Sequence, residues 1–222
     1  YIPHTVNLVH APRMDFLLLL QIFIKIATVL TYLHDNGILH LDLKPENILI
    51  NDQYEIFIID YGVSCSRQPK TGPEPSPSPS PEQIKTCDQI NWVCTTYLYA
   101  PPELCDVTSG INRIGFRSDV YSLGVVFFYI VSHTYPYPIG DVNDIKLLHE
   151  GQIPKNPLRF LPSLIPQLPY SFQSYFIKGI NKLLGWMLEP DERHRIDLPE
   201  VIKQLHRMIE EYKKHLILAK KS

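Results

Sequence analysis

Apolar residues recur at spacings of three and four along residues 14–34, which is the pattern of a helix with one buried face. Asn36-Gly37 follows, and glycine readily adopts the left-handed backbone that commonly ends a helix, so the helix is predicted to stop there. Residues 120–131 form a second apolar run, and residues 172–188 and 198–218 are amphipathic. The chain is therefore predicted to be mainly α-helical.

Shorter elements are predicted between and around these helices. Residues 48–50 and 56–59 are rich in isoleucine and predict two strands, which the polar residues 51–55 would join into a short β-hairpin. Ser118 is a candidate N-cap for the helix over the second apolar run, and the sequence Asp-Leu-Pro-Glu at 197–200 resembles a capping box. A short helix is expected over residues 141–150 and an irregular, proline-rich link over residues 154–169.

Composition indicates one sizeable globular domain over residues 1–222, because 45% of the residues are hydrophobic and 20% are charged. The net charge of −2 implies no nucleic-acid partner. Residues 66–90 include a run of alternating proline and serine, which predicts a low-complexity insertion in an extended or disordered form. The four cysteines, Cys65, Cys87, Cys94 and Cys105, lack metal-binding spacing and are interpreted as reduced thiols, although their even number leaves disulfides open.

Neither apolar run is expected to cross a membrane. The first contains Gln21 and Lys25, and the second has about 12 residues where a span requires about 20, so buried core helices are favoured. The N-terminus shows no signal-peptide pattern, which predicts a cytoplasmic or nuclear protein. Since the chain begins at Tyr1 and not at methionine, it is expected to be part of a longer product.

The strongest chemical signal is the octapeptide His-Leu-Asp-Leu-Lys-Pro-Glu-Asn at residues 40–47. Asp60-Tyr61-Gly62 follows it at a distance of 18 residues from Asp42. The pair resembles the catalytic loop and the metal-binding turn of eukaryotic protein kinases. A lysine two residues after the catalytic aspartate, here Lys44, is typical of the serine/threonine type.

The resemblance implies a role for each of these side chains in transfer of phosphate from ATP to a protein substrate. Asp42 would accept the proton of the substrate hydroxyl, and Lys44 would place a positive charge beside the transferred group. Asn47 and Asp60 would supply oxygen ligands for Mg²⁺, which takes few protein ligands and keeps waters and phosphates for the rest. Leu49 corresponds to the residue that lies under the adenine ring.

Further matches extend over most of the chain. Residues 95–103 resemble the end of a kinase activation segment, in which Thr96 would bond the catalytic Asp and Lys and Tyr99 would support the peptide-binding loop. Glu103 would pair with Arg195, and Asp119 would bond backbone amides of the catalytic loop; ordinary helix-dipole complementarity is the alternative for Asp119. His40 would have a structural role.

Three positions depart from the family pattern. Leu41 stands where the family usually carries an arginine that pairs with a phosphorylated activation-segment residue, so activation by such phosphorylation is in question. Tyr61 replaces phenylalanine and adds a hydroxyl, and Thr95 replaces a common glycine.

The resemblance covers only the C-terminal lobe of a kinase. None of the ten glycines lies two residues from another, so the chain has no G-x-G phosphate loop, and no strand lysine precedes the catalytic loop. The expected fold is thus a kinase-like C-lobe carrying a short β-hairpin, with the N-lobe absent from this chain. The function expected is ATP-dependent serine/threonine phosphorylation as part of a complete kinase, with little activity from this chain alone; the alternative is a pseudokinase-like lobe that binds proteins.

Overall fold

The computed structural model describes residues 5–11, 14–67, 85–87, 96–105, 114–138, 144 and 169–219. Within them the helices are α1 (Phe16–Asp35), α2 (Pro102–Cys105), α3 (Phe116–Ser132), α4 (Tyr170–Met187) and α5 (Leu198–Ala219). The strands are β1 (Thr5–Asn7), β2 (Ile38–Leu39), β3 (Ile48–Asn51), β4 (Ile56–Ile58), β5 (Cys65–Ser66) and β6 (Lys85–Thr86). The helix-rich character predicted from the sequence is confirmed. Apart from Asp144 and Pro169, the predicted helix over 141–150 and the link over 154–169 lie outside the described residues, as does most of the insertion over 66–90.

The first predicted helix forms as expected. The Asp15 side chain caps α1 by accepting a hydrogen bond from the Leu18 N–H at 2.8 Å. The helix ends at Asp35, and Gly37 takes the left-handed backbone with φ 73°. Local sequence therefore sets both ends of this helix.

The helix α1 is the centre of the main hydrophobic core, where it packs against α3, α5 and β4. The ring of Phe23 stacks on Phe127 of α3 with centroids 4.1 Å apart. Phe16 contacts Phe176 of α4 and Tyr212 of α5 through tilted rings. By length and composition α1 is also the one helix of the described residues that is apolar enough to cross a membrane. Its apolar face is buried against other helices, as the sequence predicted for a core helix.

The N-terminus of α3 differs from the prediction. Gly115 occupies the N-cap position, and Ser118 lies in the first turn of the helix. The Ser118 hydroxyl accepts a hydrogen bond from the Gly115 N–H at 3.2 Å and donates one to Glu103 at 2.8 Å. The N-cap assignment for Ser118 was wrong because the helix starts three residues earlier than that assignment implies, at Phe116. By contrast, Asp197 caps α5 by accepting from the Glu200 N–H at 3.0 Å, as the capping-box pattern indicated.

Two small sheets flank the catalytic loop. The predicted hairpin is present as β3 and β4, and β1 adds a third antiparallel strand along β3. In the second sheet β5 lies between β2, which is antiparallel, and β6, which is parallel. Neither β1 nor the second sheet was predicted, because strands of two or three residues are too short for a periodicity signal.

A buried ion pair joins α2 to the turn before α5. Arg195 contacts Glu103 through two parallel bonds, Nη1 to Oε1 at 2.7 Å and Nη2 to Oε2 at 3.0 Å, and both side chains are fully buried. The guanidinium also donates to the carbonyls of Glu189, Arg117 and Pro190. The pair expected from the sequence is thus formed, and each charge is compensated inside the protein.

We predict that Arg195→Met lowers the free energy of unfolding by about 3–5 kcal/mol, because it leaves the Glu103 carboxylate buried without its counter-charge. Urea unfolding of both proteins would measure the difference. Arg193 is the matched control: its side chain is 74% exposed, so Arg193→Met should leave the unfolding midpoint unchanged. Equal effects of the two substitutions would contradict the prediction.

We also predict opposite effects from adding a methyl group at two helical glycines. A Cβ at Gly124 of α3 would lie 2.9 Å from the Met187 Cβ, so Gly124→Ala should cost about 1–3 kcal/mol through overpacking. A Cβ at Gly179 of α4 would meet only the Met208 Cε, at 3.6 Å, so Gly179→Ala should gain up to about 1 kcal/mol of helix propensity. Chemical denaturation of the two variants tests this; a stabilised Gly124→Ala protein would refute the close packing.

Candidate active site

The Asp42 carboxylate lies at the meeting point of three other predicted site residues. It is 8% exposed. Its Oδ1 accepts a hydrogen bond from the Thr96 N–H at 2.9 Å, and its Oδ2 lies 2.8 Å from the Lys44 Nζ. The amide Nδ2 of Asn47 donates to the same Oδ2 at 3.2 Å. These contacts fix the direction in which the carboxylate points.

Lys44 connects the catalytic loop to the activation segment. Besides the Asp42 carboxylate, its ammonium donates to the Thr96 hydroxyl at 2.9 Å. Thr96 therefore bonds both Asp42 and Lys44, although 50 or more residues separate it from them. A single positive charge shared in this way is held beside the Asp42 oxygens.

Asn47 and Asp60 offer the oxygen atoms that Mg²⁺ prefers. Asn47 donates its amide Nδ2 to the Asp42 carbonyl at 2.9 Å, so its Oδ1 is the atom that can serve as a ligand. The Ile59 N–H donates to the Asn47 carbonyl at 3.0 Å, which brings the residue before Asp60 against Asn47. Asp60 is exposed and takes the left-handed backbone with φ 64°. This donor set of one amide and one carboxylate fits a magnesium ion that keeps most of its other ligands from phosphate and water.

The described residues contain no group of three or more His, Cys, Asp and Glu side chains that could enclose a metal by themselves.

Leu49, the residue expected under adenine, lies in β3, between Asn7 of β1 and Phe57 of β4, with its side chain half-buried.

The loop that carries Asp42 is anchored by Asp119, which is completely buried in the first turn of α3. Its two carboxylate oxygens accept hydrogen bonds from the backbone N–H groups of His40 at 2.9 Å and Leu41 at 2.8 Å. The catalytic-loop role expected for Asp119 is thus matched by its contacts.

His34, at the end of α1, lies 2.9 Å from the same Asp119 carboxylate through its Nε2. Burial alone raises the pKa of the Asp119 carboxyl, but the hydrogen bond and charge of His34 and the backbone N–H of His40 outweigh burial and hold that pKa below its usual range. Sequence reasoning missed His34. The only signal available was a basic residue in the last turn of the helix, where favourable interaction with the helix dipole is a sufficient explanation.

His40 connects the catalytic loop to the turn that carries Asp60. Its Nε2 lies 2.9 Å from the Ile59 carbonyl, and its Nδ1 faces the Asp42 N–H at 3.3 Å. Since a carbonyl only accepts, the proton sits on Nε2. The Tyr61 ring meets the His40 ring edge-on at 5.2 Å, and the Tyr61 hydroxyl donates to the Ile58 carbonyl at 3.1 Å. Partial burial raises the pKa of that hydroxyl.

Leu41 points away from this polar network. It takes the left-handed backbone with φ 64°, which is unusual for a large side chain, and is 1% exposed. It lies in a second apolar cluster that includes Cys65 and Cys87. These two cysteines form a disulfide bond, so the interpretation of all four cysteines as reduced thiols was wrong for this pair. The even number of cysteines allowed a disulfide but did not identify the pair, because the partners are 22 residues apart with an insertion between them.

Tyr99 is buried and meets Tyr129 and Tyr135 of the α3 region through edge-on rings. The contacts thus bring Lys44, Asn47 and Thr96 to Asp42, whereas Tyr99, Glu103 and Arg195 form a second group at and beside α2. Leu49 lies in β3, outside both groups. Thr95 lies outside the described residues.

Comparisons with known proteins agree with this geometry. The family model described as the protein kinase domain matches residues 16–206. The chain is 31% identical over 175 residues to the serine/threonine-protein kinase kin-29 of Caenorhabditis elegans, covering 78% of this chain and 17% of that protein. It is 28% identical over 193 residues to the probable serine/threonine-protein kinase KCC4 of Saccharomyces cerevisiae, covering 86% and 15%.

The maternal embryonic leucine zipper kinase of Xenopus tropicalis is 27% identical over 180 residues, covering 81% of this chain and 22% of that protein. The chain thus matches 15–22% of the length of these three relatives. The family match extends over more than half of the chain and includes the catalytic loop, the activation segment and α4. This chain belongs to the protein kinase domain family and is related to serine/threonine protein kinases.

Proposed function

We propose that this chain carries the phosphoryl-transfer residues of a serine/threonine protein kinase that uses ATP and Mg²⁺ and acts on protein substrates. The observation that carries the proposal is the Asp42 carboxylate, which is held at once by the Thr96 N–H, Lys44 and Asn47. A group that must aim a substrate hydroxyl needs to be fixed before the substrate arrives, because misplacement of about 1 Å costs about 100-fold in rate.

Each contact in the network supports one part of this chemistry. Asp42 would accept the hydroxyl proton of the substrate serine or threonine as that oxygen attacks phosphorus in line with the leaving group. Lys44 would offset the negative charge that develops on the transferred group, and Thr96 would keep the ammonium in place. Bound Mg²⁺ would supply charge neutralisation for the phosphates, and Asn47 Oδ1 with the Asp60 carboxylate would hold it.

The proposed activity requires nucleotide-binding elements in addition to the residues around Asp42. The sequence 1–222 contains no G-x-G phosphate loop and no strand lysine before residue 40. We therefore propose that it corresponds to the C-terminal lobe and works with nucleotide-binding elements outside these residues. The second candidate function is a protein-binding lobe without activity, which Leu41 in place of arginine and the missing phosphate loop favour. Retention of Asp42, Lys44, Asn47 and Asp60 together favours catalysis, since a binding role requires none of these four types at these positions.

We predict that Asp42→Asn, made in the longer product of the same gene, lowers transfer of phosphate to serine or threonine peptides by about 10²–10⁴-fold. The amide keeps the shape of the side chain but cannot accept the hydroxyl proton. Initial rates with radiolabelled ATP, and an unfolding midpoint close to that of the parent, would establish the loss as chemical. Asp52→Asn is the matched control, since Asp52 is exposed in the β3–β4 turn. Undiminished transfer by Asp42→Asn would rule out the catalytic assignment.

We further predict that residues 1–222 alone show no transfer that depends on Asp42. The transcript upstream of the Tyr1 codon should encode, in frame, a glycine-rich loop and a strand lysine, and adding that segment should restore transfer. The measurement is the rate of peptide phosphorylation by both forms and by their Asp42→Asn variants. Transfer by residues 1–222 that is lost on Asp42→Asn would contradict the division between two lobes.

A further inference from the structure

The second apolar cluster joins the catalytic loop to the activation segment. Its members are buried and come from five separate stretches of the chain: Leu39, Leu41, Cys65, Cys87, Leu104 and Ile114. It is distinct from the main core, which surrounds α1. The disulfide between Cys65 and Cys87 is the only covalent link within it.

The disulfide connects the residues that follow the Asp60 turn with the residues that precede Thr96. Cys65 follows the Asp60 turn by five residues and pairs through its backbone with Leu39, directly before His40. Cys87 follows β6, which pairs in parallel with β5. The bond therefore fastens the start of the activation segment to a part that lies nine residues before Thr96. The bond closes a loop between two cysteines that are 22 residues apart. Such a crosslink lowers the conformational entropy of the unfolded chain and so favours the folded arrangement.

Leu41 explains why a bond of this kind is useful here. An arginine at this position would hold a phosphorylated segment through charge-assisted hydrogen bonds. Leu41 has no charge and is buried against the apolar cluster that contains the disulfide. The contact between Leu41 and the segment is thus apolar, where an arginine would make it ionic, and the disulfide crosslinks two parts of the segment to each other.

We propose that Cys65–Cys87 is a reversible oxidation site that controls how firmly Thr96 is held against Asp42 and Lys44. In the oxidised form Cys65 and Cys87 are held beside Leu41, and Thr96 contacts Asp42 and Lys44. Reduction releases β6 and weakens the Thr96 contacts. The expected change in the Thr96 contacts rests on the cluster and its disulfide alone. Any resulting change in phosphoryl transfer rests in addition on the proposed function.

The chemistry is thiol–disulfide exchange with a dithiol. A thiolate of the dithiol attacks one sulfur, the S–S bond of the protein breaks, and the second thiol of the reductant then displaces the mixed disulfide. Two electrons and two protons pass to Cys65 and Cys87, and the dithiol becomes a disulfide. Cys87 is 6% exposed and Cys65 is fully buried, so attack is expected at Cys87 during local opening. In a reducing cytoplasm or nucleus the bond would form only under oxidation, which suits a sensor.

The test uses residues 1–222 with the dithiol dithiothreitol or with oxidised glutathione. Hydrogen–deuterium exchange should show that reduction raises the exchange rate of the Thr96 amide at least tenfold, while amides in α1 and α5 do not change. Peptide mapping without reductant should recover the Cys65–Cys87 pair from the oxidised sample. Four free thiols in the oxidised sample, or identical exchange in both samples, would overturn the proposal.

Two double variants test whether the response requires the Cys65–Cys87 bond. Cys65→Ala with Cys87→Ala should exchange like the reduced protein and should not respond to dithiothreitol, whereas Cys94→Ala with Cys105→Ala should respond like the parent. The comparison of oxidised and reduced parent protein needs no variant, so it remains decisive if the first pair does not fold. A redox response of the Thr96 amide, combined with inactivity of the longer product in both states, would refute the proposed function and leave the oxidation site supported. A response that persists in Cys65→Ala with Cys87→Ala would refute the site.

Discussion

The buried carboxylate of Asp119 is the contact on which the catalytic loop depends. It is completely buried and accepts the backbone N–H groups of His40 and Leu41, directly before Asp42. A buried charge is costly unless hydrogen bonds compensate it, and here two amides and His34 do so. The cost of burial is therefore met by two groups of the loop and one of α1. The position of Asp42 follows from the packing of α3 against α1, because Asp119 and His34 belong to these two helices.

A buried ion pair between Glu103 and Arg195 supports the end of the activation segment. Arg195 and Glu103 neutralise each other, and the Ser118 hydroxyl adds a further hydrogen bond to Glu103. Because Ser118 and Asp119 are neighbours in the first turn of α3, the two polar networks meet at one helix end. The N-terminus of α3 thereby links the segment that ends at α2 with the loop that carries Asp42. The geometry at Thr96 depends on both networks, since Thr96 lies between them in the chain.

Leu41 and Asp60 are two of the four non-glycine residues that take the left-handed backbone in the described part of the chain. Leu41 directly precedes Asp42, and Asp60 is itself a proposed magnesium ligand; such strain persists only where surrounding contacts over-determine it. At Leu41 the contacts are the Asp119 carboxylate on the backbone and the second apolar cluster on the side chain. Leu41 thus holds the loop through both its backbone and its side chain. These two contacts explain how the loop is held without a charged side chain at this position.

The sequence by itself determined the parts of this protein that depend on neighbours along the chain. The limits of α1, the β3–β4 hairpin and the cap of α5 follow from periodicity and capping residues, and the catalytic octapeptide indicated Asp42, Lys44 and Asn47 through its resemblance to the kinase family. The Glu103–Arg195 pair was predictable only through the family resemblance. Tertiary structure alone decided the contact of His34 with Asp119, the strand β1, the place of Ser118 inside α3 and the Cys65–Cys87 bond. Each of these requires two segments distant in sequence to meet, and a local pattern holds no information on which distant side chain will share a buried site.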